Sequence, residues 1–487
     1  MIFKIITLFS ILVLFFYLSK SCLLNCPPIW PDEAYIADIS RNFMTNGQIS
    51  TKIWSEIMPS TAEHFLWYPP GIFYILAGVF KIFGFSLEVQ RLASVSLAVM
   101  LLASFFLLVK TLVVSRDSFI IAGISTLMLS IDNFFLQASR ISRPEIYVLF
   151  FGTLSLTLFN YLKIVKKKLF LYYIVGILAG LSALMHFEGL VFGVAIFLHI
   201  LFLDGKNVLS KKRAAFFILG YLTVFSFYSF TIIKNFDIFK DQIMTQLRYR
   251  ELNPTYLIIF YHSHSLSEIL VTTFYLSITL FFIFYSKLDL RKHLSILIVL
   301  VFTWIFAILG KLEWYPVLAI PFVYIALTLI FTGLYFKAYR HPVKWILVFI
   351  LFLLISANLK IYSEYRKQEN FNYHEYGAKI LENIPKDKTV YISAVPDPYF
   401  AFIQRGEGSL RYFLTAPSST FRENFLKTLK ESDFIVINRR LEGALVADIL
   451  DKYLNLNTEK MTKVNYQDQE VEIIELKSKD KRAIPEI

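Results

Sequence analysis

Apolar runs long enough to cross a bilayer recur along the first three quarters of the chain. They fall at about 2–19, 91–114, 118–135, 146–162, 169–185, 188–203, 214–232, 267–286, 294–310, 314–336 and 345–360. Crossing ~30 Å of hydrocarbon takes roughly 17–25 helical residues, so the pattern predicts about 11 membrane spans. One more run, 70–85, opens at Pro69-Pro70-Gly71, ends at Phe83-Gly84 and carries Lys81 near its end. It is short, and predicts a helix lying along the membrane surface.

Beyond residue 361 the pattern changes. Phe371–Ile384 has helical spacing and closes at Asn383-Ile384-Pro385; 389–394, 409–414 and 433–438 read as strands. Thr420 followed by Glu423 marks a helix start for a segment running to about 430. A second helix is expected at 441–453 and a hairpin at 464–476. Alternating strands and helices predict a small α/β domain.

Composition agrees with this division. The 487 residues are 56% hydrophobic and 18% charged, and mean hydropathy is +0.56. Soluble domains carry roughly 45–50% apolar and about 25% charged residues. Too little charge is present to coat the several soluble domains this length would require. A purely soluble enzyme, a disordered chain and a collagen-like fibre are excluded.

The net charge of +12 is unevenly placed. Residues 362–487 hold 19 Lys/Arg against 20 Asp/Glu, whereas residues 1–361 hold 30 against 17. The basic residues gather in short loops: Lys163 with Lys166 to Lys168, Lys206 with Lys211 to Arg213, Lys287 with Arg291 and Lys292, and Lys337 with Arg340 and Lys344. All these loops share one side if 70–85 does not cross, and the positive-inside rule makes that side cytoplasmic. Short separate loops are not a nucleic-acid-binding face, so no nucleic acid partner is expected. The expected fold class is mainly α: a polytopic helical membrane domain over 1–361, with a first outer loop at 20–90. A small extracytoplasmic α/β domain over 362–487 would follow it. The first apolar run is read as an uncleaved span, because no small-x-small cleavage site follows it. Cys22 and Cys26 are the two cysteines, and a disulfide and two thiols are both compatible with their spacing.

Of the 17 acids in the membrane part, only Asp117, Asp204 and Asp289 fall in cytoplasmic loops. Acids near a membrane mark sites or wet cavities, so chemistry is sought on the outer face. In Pro31-Asp32-Glu33-Ala34-Tyr35, Pro31 suits a helix start and Gly47 a stop. Asp32 and Glu33 then sit in the first turn, either because acids favour a helix N-terminus or as a general base. In Gln137 to Glu145, Arg140, Arg143 and Glu145 form either a salt-bridged loop or an anion site for phosphate. His186 and Glu188 sit in a tight apolar break, as a buried structural pair or as pocket groups. Lys311, ahead of Trp314 and Tyr315, either neutralises a phosphate or snorkels to the interface. His262 and His264 are a weak metal pattern; no cofactor is certain, and a divalent metal is left open.

Taken in order, these pieces resemble the GT-C superfamily of polyprenyl-phosphate-sugar-dependent glycosyltransferases. The similar branches are the protein O-mannosyltransferases and the aminoarabinose transferases that modify lipid A. The carrying residues are Pro31 to Tyr35, Tyr68-Pro69-Pro70-Gly71, Phe83-Gly84 with Arg91, Arg143-Pro144-Glu145, and Lys311 to Tyr315. The resemblance covers about residues 1–335.

It implies an integral-membrane hexosyl- or pentosyltransferase. The sugar would pass from a dolichyl- or undecaprenyl-phosphate donor to a hydroxyl of a lipid, glycan or protein acceptor at the extracytoplasmic face. It gives Asp32 the base role, with Glu33 and Glu145 as further catalytic acids. It gives Arg143 or Arg140, with Lys311 and Tyr315, to the donor phosphate, and Arg91 is a further candidate there. Tyr35, Tyr68, His186, Glu188, Glu63 and His64 would line the substrate pocket. The aminoarabinose branch carries an acid and a Lys just before the proline pair, where this chain has Trp67 and Tyr68. It also carries a Lys where Glu188 precedes Gly189. The physics agrees: a phosphate leaving group needs little protonation, so one carboxylate and nearby cations suffice for direct displacement with inversion. The rival class is a multi-span transporter or lipid flippase handling lipid-linked sugars. Its marks are internal repeats and broken helices at mid-membrane depth, and neither is evident in the sequence.

Overall fold

A computed structural model describes residues 2–54, 58–113, 115–165, 169–203, 208–249, 266–286, 290–309, 316–337, 352–353, 355–360, 362–363, 371–406, 410–411, 419–438, 444–467 and 469–483. Apolar helices stand at ten of the eleven expected spans: Ile2–Lys20, Leu87–Leu112, Ser118–Ser130, Pro144–Val165, Phe170–Met185, Leu190–Leu203, Val208–Lys234, Leu266–Ser286, Leu290–Leu309 and Pro316–Lys337. Half of the eleventh segment, 345–360, lies outside the described residues. Among the described residues, four helices are sufficient by length and apolarity alone to cross a membrane, or five if one bent pair counts as a span. Several other helices are apolar but shorter. The exposed side chains fit a lipid solvent. Leu219, Leu222, Phe227, Phe230 and Ile233 all face outward on Val208–Lys234, which water would penalise. The chain is an integral membrane protein.

One expected span is corrected. Residues 118–135 are not one helix: Ser118–Ser130 stops, and a second helix, Asn133–Arg140, leaves at 64°. Asp132 makes the break. Its carboxylate caps the second helix by accepting from Phe135 N at 3.0 Å, and it also accepts from the Tyr275 and Tyr324 hydroxyls. A buried aspartate with three donors holds the chain in a turn that an apolar pattern does not announce.

The run at 70–85 forms a helix, Gly71–Phe83, about 20 Å long at 1.5 Å per residue and so too short to span. It packs on the first-loop helix Pro31–Asn46, designated α1 here. Cys22 and Cys26 are joined in a disulfide just before α1.

The C-terminal part is the expected α/β domain. Strands β1 (Val390–Ser393), β2 (Leu410–Arg411), β3 (Phe434–Ile437), β4 (Thr458–Tyr466) and β5 (Gln469–Leu476) form one sheet in the order β2-β1-β3-β5-β4. The pairs β1–β2 and β1–β3 are parallel; β3–β5 and β4–β5 are antiparallel. Alternation along the strands sorts two cores. Tyr391, Ile435 and Ile437 pack with Phe425, Leu429, Leu450 and Tyr453 on one face. Val390, Ile392, Phe434 and Val436 join a core that runs through Tyr373, Tyr376, Tyr399 and Phe400 into the membrane part. The hairpin begins at Thr458, earlier than expected, and a short helix, Tyr399–Gln404, was not expected at all.

Candidate functional site

The site is built on the start of α1. Pro31 stands at the first helical position, where its missing N–H is no loss. The Trp30 backbone N–H donates to Glu33 Oε2 at 3.3 Å, so Glu33 folds back over the helix entry. Asp32 and Glu33 therefore point in different directions, and their surroundings are opposite.

Glu33 turns inward. It pairs with Arg91 through two hydrogen bonds, Nε to Oε1 at 2.9 Å and Nη2 to Oε2 at 2.6 Å, and both side chains are 0% exposed. The Ser142 N–H also donates to Glu33 Oε1, at 3.3 Å. Arg91 Nη1 donates to the carbonyls of Leu23 and Pro27 at 2.7 and 3.0 Å. The expectations that Glu33 is a catalytic acid and that Arg91 faces a donor phosphate are not met by this placement. The two groups satisfy each other and tie α1 to the second span. Arg140 departs from expectation in the same way. It is buried, and its guanidinium donates to the carbonyls of Leu18, Ser19 and Cys26, fixing the end of the first helix.

Asp32 turns outward, with 27% of its side chain exposed. Its Oδ2 accepts from Arg143 Nη1 at 2.5 Å. Arg143 is 10% exposed and reaches on to Glu145, with Nη2 2.9 Å from Oε1 and Nε at 3.2 Å. The Glu145 side chain is 5% exposed. One guanidinium thus lies between two carboxylates, and of the three acids only Asp32 reaches solvent appreciably. Pro144 and Glu145 open the helix Pro144–Val165, so the helix start fixes the spacing of Arg143 and Glu145.

Aromatic rings continue the wall from Asp32. Tyr35 stacks on Tyr68 at 6.1 Å and meets Trp54 at 4.5 Å; Tyr68 stacks on Trp67 and lies 4.8 Å from the His186 ring. Burial, with Tyr68 and Asp32 nearby, pushes the Tyr35 phenol well above its usual range. His186 Nδ1 lies 3.2 Å from Glu188 Oε2. Two glycines allow this approach. A Cβ on Gly71 would lie 2.6 Å from Leu184 O, and one on Gly189 would lie 2.1 Å from Ser182 O. Any larger residue at either position would force the backbone at 182–185 to shift. Gln242, which the sequence did not suggest, holds the Tyr68 loop. Its Oε1 accepts from Leu66 and Trp67 N–H at 2.8 and 3.1 Å, and its Nε2 donates to His64 O at 2.7 Å.

The structure therefore brings Asp32, Arg143, Glu145, Tyr35, Tyr68, His186 and Glu188 into one connected and mostly buried cluster. Glu63 and His64 are exposed on the preceding loop, with no described side-chain contact to that group. Lys311, Tyr315, His262 and His264 lie outside the described residues. Among the described residues no group of three or more His, Cys, Asp or Glu could hold a metal.

Comparison with known proteins fits this architecture. The family profile for dolichyl-phosphate-mannose-protein mannosyltransferase matches residues 68–231. An uncharacterized protein of Aquifex aeolicus (strain VF5) is 29% identical over 181 residues, covering 37% of this chain and 33% of that protein. The chain thus matches about a third of the length of this relative. Among solved structures, ArnT from Cupriavidus metallidurans bound to undecaprenyl phosphate superposes with a TM-score of 0.60 at 12% identity, over 98% of both chains. The oligosaccharyltransferase AglB of Archaeoglobus fulgidus, in complex with an inhibitory peptide and a dolichol-phosphate, superposes with a TM-score of 0.52 at 14% identity. That match covers 88% of this chain and 69% of AglB.

Proposed function

For this chain, which has the GT-C fold and is assigned to the GT-C superfamily, we propose sugar transfer from a polyprenyl phosphate to an acceptor hydroxyl, with Asp32 as the base. The reading is carried by one observation. Asp32 is the solvent-reaching carboxylate of the group, and Arg143 holds it at the head of a helix beside a second acid. Asp32 takes the proton of the acceptor hydroxyl. The freed oxygen forms a bond to the anomeric carbon as the bond to the phosphate oxygen breaks. The polyprenyl phosphate leaves with the electron pair, and the configuration inverts. Arg143 fixes the direction of the Asp32 carboxylate, and Glu145 holds Arg143 from behind. Lys311 is the cation we assign to the departing phosphate, and Tyr315 is assigned to the same group. The stacked rings of Tyr35 and Tyr68 form a largely buried aromatic wall next to Asp32, against which a sugar would sit.

The site belongs, in this reading, on the extracytoplasmic side, together with the C-terminal domain. The basic short loops at the other ends of the helices support that orientation. So does the Cys22–Cys26 disulfide, since such bonds persist in oxidising compartments.

The test is incubation of the purified protein in lipid nanodiscs with a panel of polyprenyl-phosphate hexoses and pentoses. Candidate lipid, glycan and peptide acceptors are then analysed by mass spectrometry. A mass increment of one sugar, lost in Asp32→Asn, is expected. No transfer from any donor would overturn the reading.

A further inference from the structure

The C-terminal domain touches the first-loop chain on both sides of Asp32. The Asp397 N–H donates to the Ile29 carbonyl at 3.0 Å, just ahead of α1. The Tyr399 hydroxyl donates to Asp38 Oδ1 at 2.9 Å, further along the same helix. Both contacts come from one short turn. That turn is stiff: Asp397 Oδ1 accepts from Tyr399 N at 2.8 Å, and the Asp397 carbonyl accepts from the Tyr373 hydroxyl at 2.8 Å. The Tyr376 hydroxyl donates to the Pro396 carbonyl at 3.0 Å. On the receiving side, Asp38 is buried, and its other oxygen accepts from Thr51 Oγ1 at 2.7 Å.

The placement matters because of what one pin leaves free. Glu33 is fixed by Arg91, which holds α1 at its first turn. Packing on the helix Gly71–Phe83 and a pin at the first turn leave the remainder of α1 some freedom to tilt and roll. Asp38 lies about 9 Å along the axis from Asp32, and a restraint there removes both motions. The Arg91 pin comes from the membrane part, and the other two come from the C-terminal domain.

We propose that Tyr399 is a positioning residue: through Asp38 it holds α1 at the roll and tilt that present the Asp32 carboxylate to Arg143. The C-terminal domain is then part of how the site is assembled, beyond being a scaffold. The proposal rests on the reading of Asp32 as the base. Displacing a reacting group by 1 Å costs on the order of a hundredfold in rate, so a small rotation of α1 suffices. Burial holds the Asp38 carboxyl above the usual carboxylate range, in keeping with a group shielded from water by the contact.

Tyr399→Phe removes the hydroxyl and keeps the ring, which packs edge-on against Phe400. The full chain in nanodiscs is compared with Tyr399→Phe, Asp38→Asn and the double variant. Two readouts are taken. Hydrogen–deuterium exchange should speed up in peptides covering 29–46 and stay unchanged in 144–165, with the double variant no faster than the faster single. Transfer kinetics, with whichever panel donor is active, should show kcat lowered on the order of 10- to 100-fold. The KM for the lipid donor should stay within about twofold, the pattern of a lost transition-state contact. Unchanged exchange in both single variants overturns the clamp. Faster exchange with the parent kcat overturns the positioning role. A parent that transfers no sugar overturns the glycosyl-transfer reading and with it the role given to Asp32, while exchange over 29–46 still decides the clamp.

Discussion

Asp32 and Glu33 are adjacent, yet their substitutions should fail in different ways. Glu33→Gln keeps the shape and removes the charge. Arg91 is then a guanidinium with 0% exposure and no counter-charge, and the new amide N–H group faces its Nη2 donor. Removing one partner of a buried ion pair costs about 3–5 kcal/mol. That is a large share of the ~5–15 kcal/mol typical of a folded protein. The Ser142 N–H keeps its acceptor at Oε1, now without the negative charge. Asp32→Asn is milder: the side chain is 27% exposed, and Arg143 keeps Glu145. Its stability loss should be about 1 kcal/mol, as for a partly solvated pair. Its rate loss should be on the order of 10²–10⁴, the usual worth of a positioned base. Denaturant titration in nanodiscs, followed by tryptophan fluorescence, measures the first quantity, and the sugar-transfer assay measures the second. Glu33→Gln that is as stable as the parent would refute the structural assignment. Asp32→Asn at the parent rate would refute the catalytic one.

Three further outcomes are expected. Arg143→Lys keeps the charge and loses the fork that spans Asp32 and Glu145; transfer should fall by roughly the same factor as loss of the base, with folded yield unchanged. Gly189→Ala would put a Cβ 2.1 Å from Ser182 O, and the overpacking should lower stability by about 1–3 kcal/mol in the same titration. The third concerns pH. Burial raises the Asp38 carboxyl above its ordinary ~3.9, against the opposing pull of Thr51, Tyr399 and Arg41. The folded state then binds the proton more tightly than the unfolded one, so this contribution to stability is fullest below that ordinary value. It declines as pH rises through the raised one. Exchange protection over 31–46, corrected for intrinsic rates, should be greater near pH 4 than at pH 7, and Asp38→Asn should flatten the difference.

Much of the architecture was legible because lipid imposes a strong local rule: a span must be apolar over about 20 residues. The short apolar runs that became β1 and β3 were equally readable as strands. What escaped the sequence was set by distant partners. The break after Ser130 depends on hydroxyls from Tyr275 and Tyr324, and nothing in residues 118–135 announces them. For the same reason Glu33 looked as catalytic as Asp32. Their difference lies in Arg91, 58 residues away, which claims one and leaves the other. Arg140 and Arg143 were interchangeable on spacing, and only carbonyls of the first helix and its following turn separate them. Gln242 gave no signal, since a lone amide on an amphipathic helix is ordinary.

The pairing of Glu33 with Arg91 also imposes an order on biosynthesis. At about 5–20 residues per second, a ribosome adds the 58 residues between them in roughly 3–12 s. Until then the first loop carries a charged glutamate with nowhere to settle. The second span cannot be an interchangeable anchor, because its leading arginine closes the loop. Tyr399 follows Asp38 by 361 residues, which is roughly 18–72 s of further synthesis. A nascent chain released before its tail would therefore insert all of its apolar helices and still hold Asp32 on a loosely held helix.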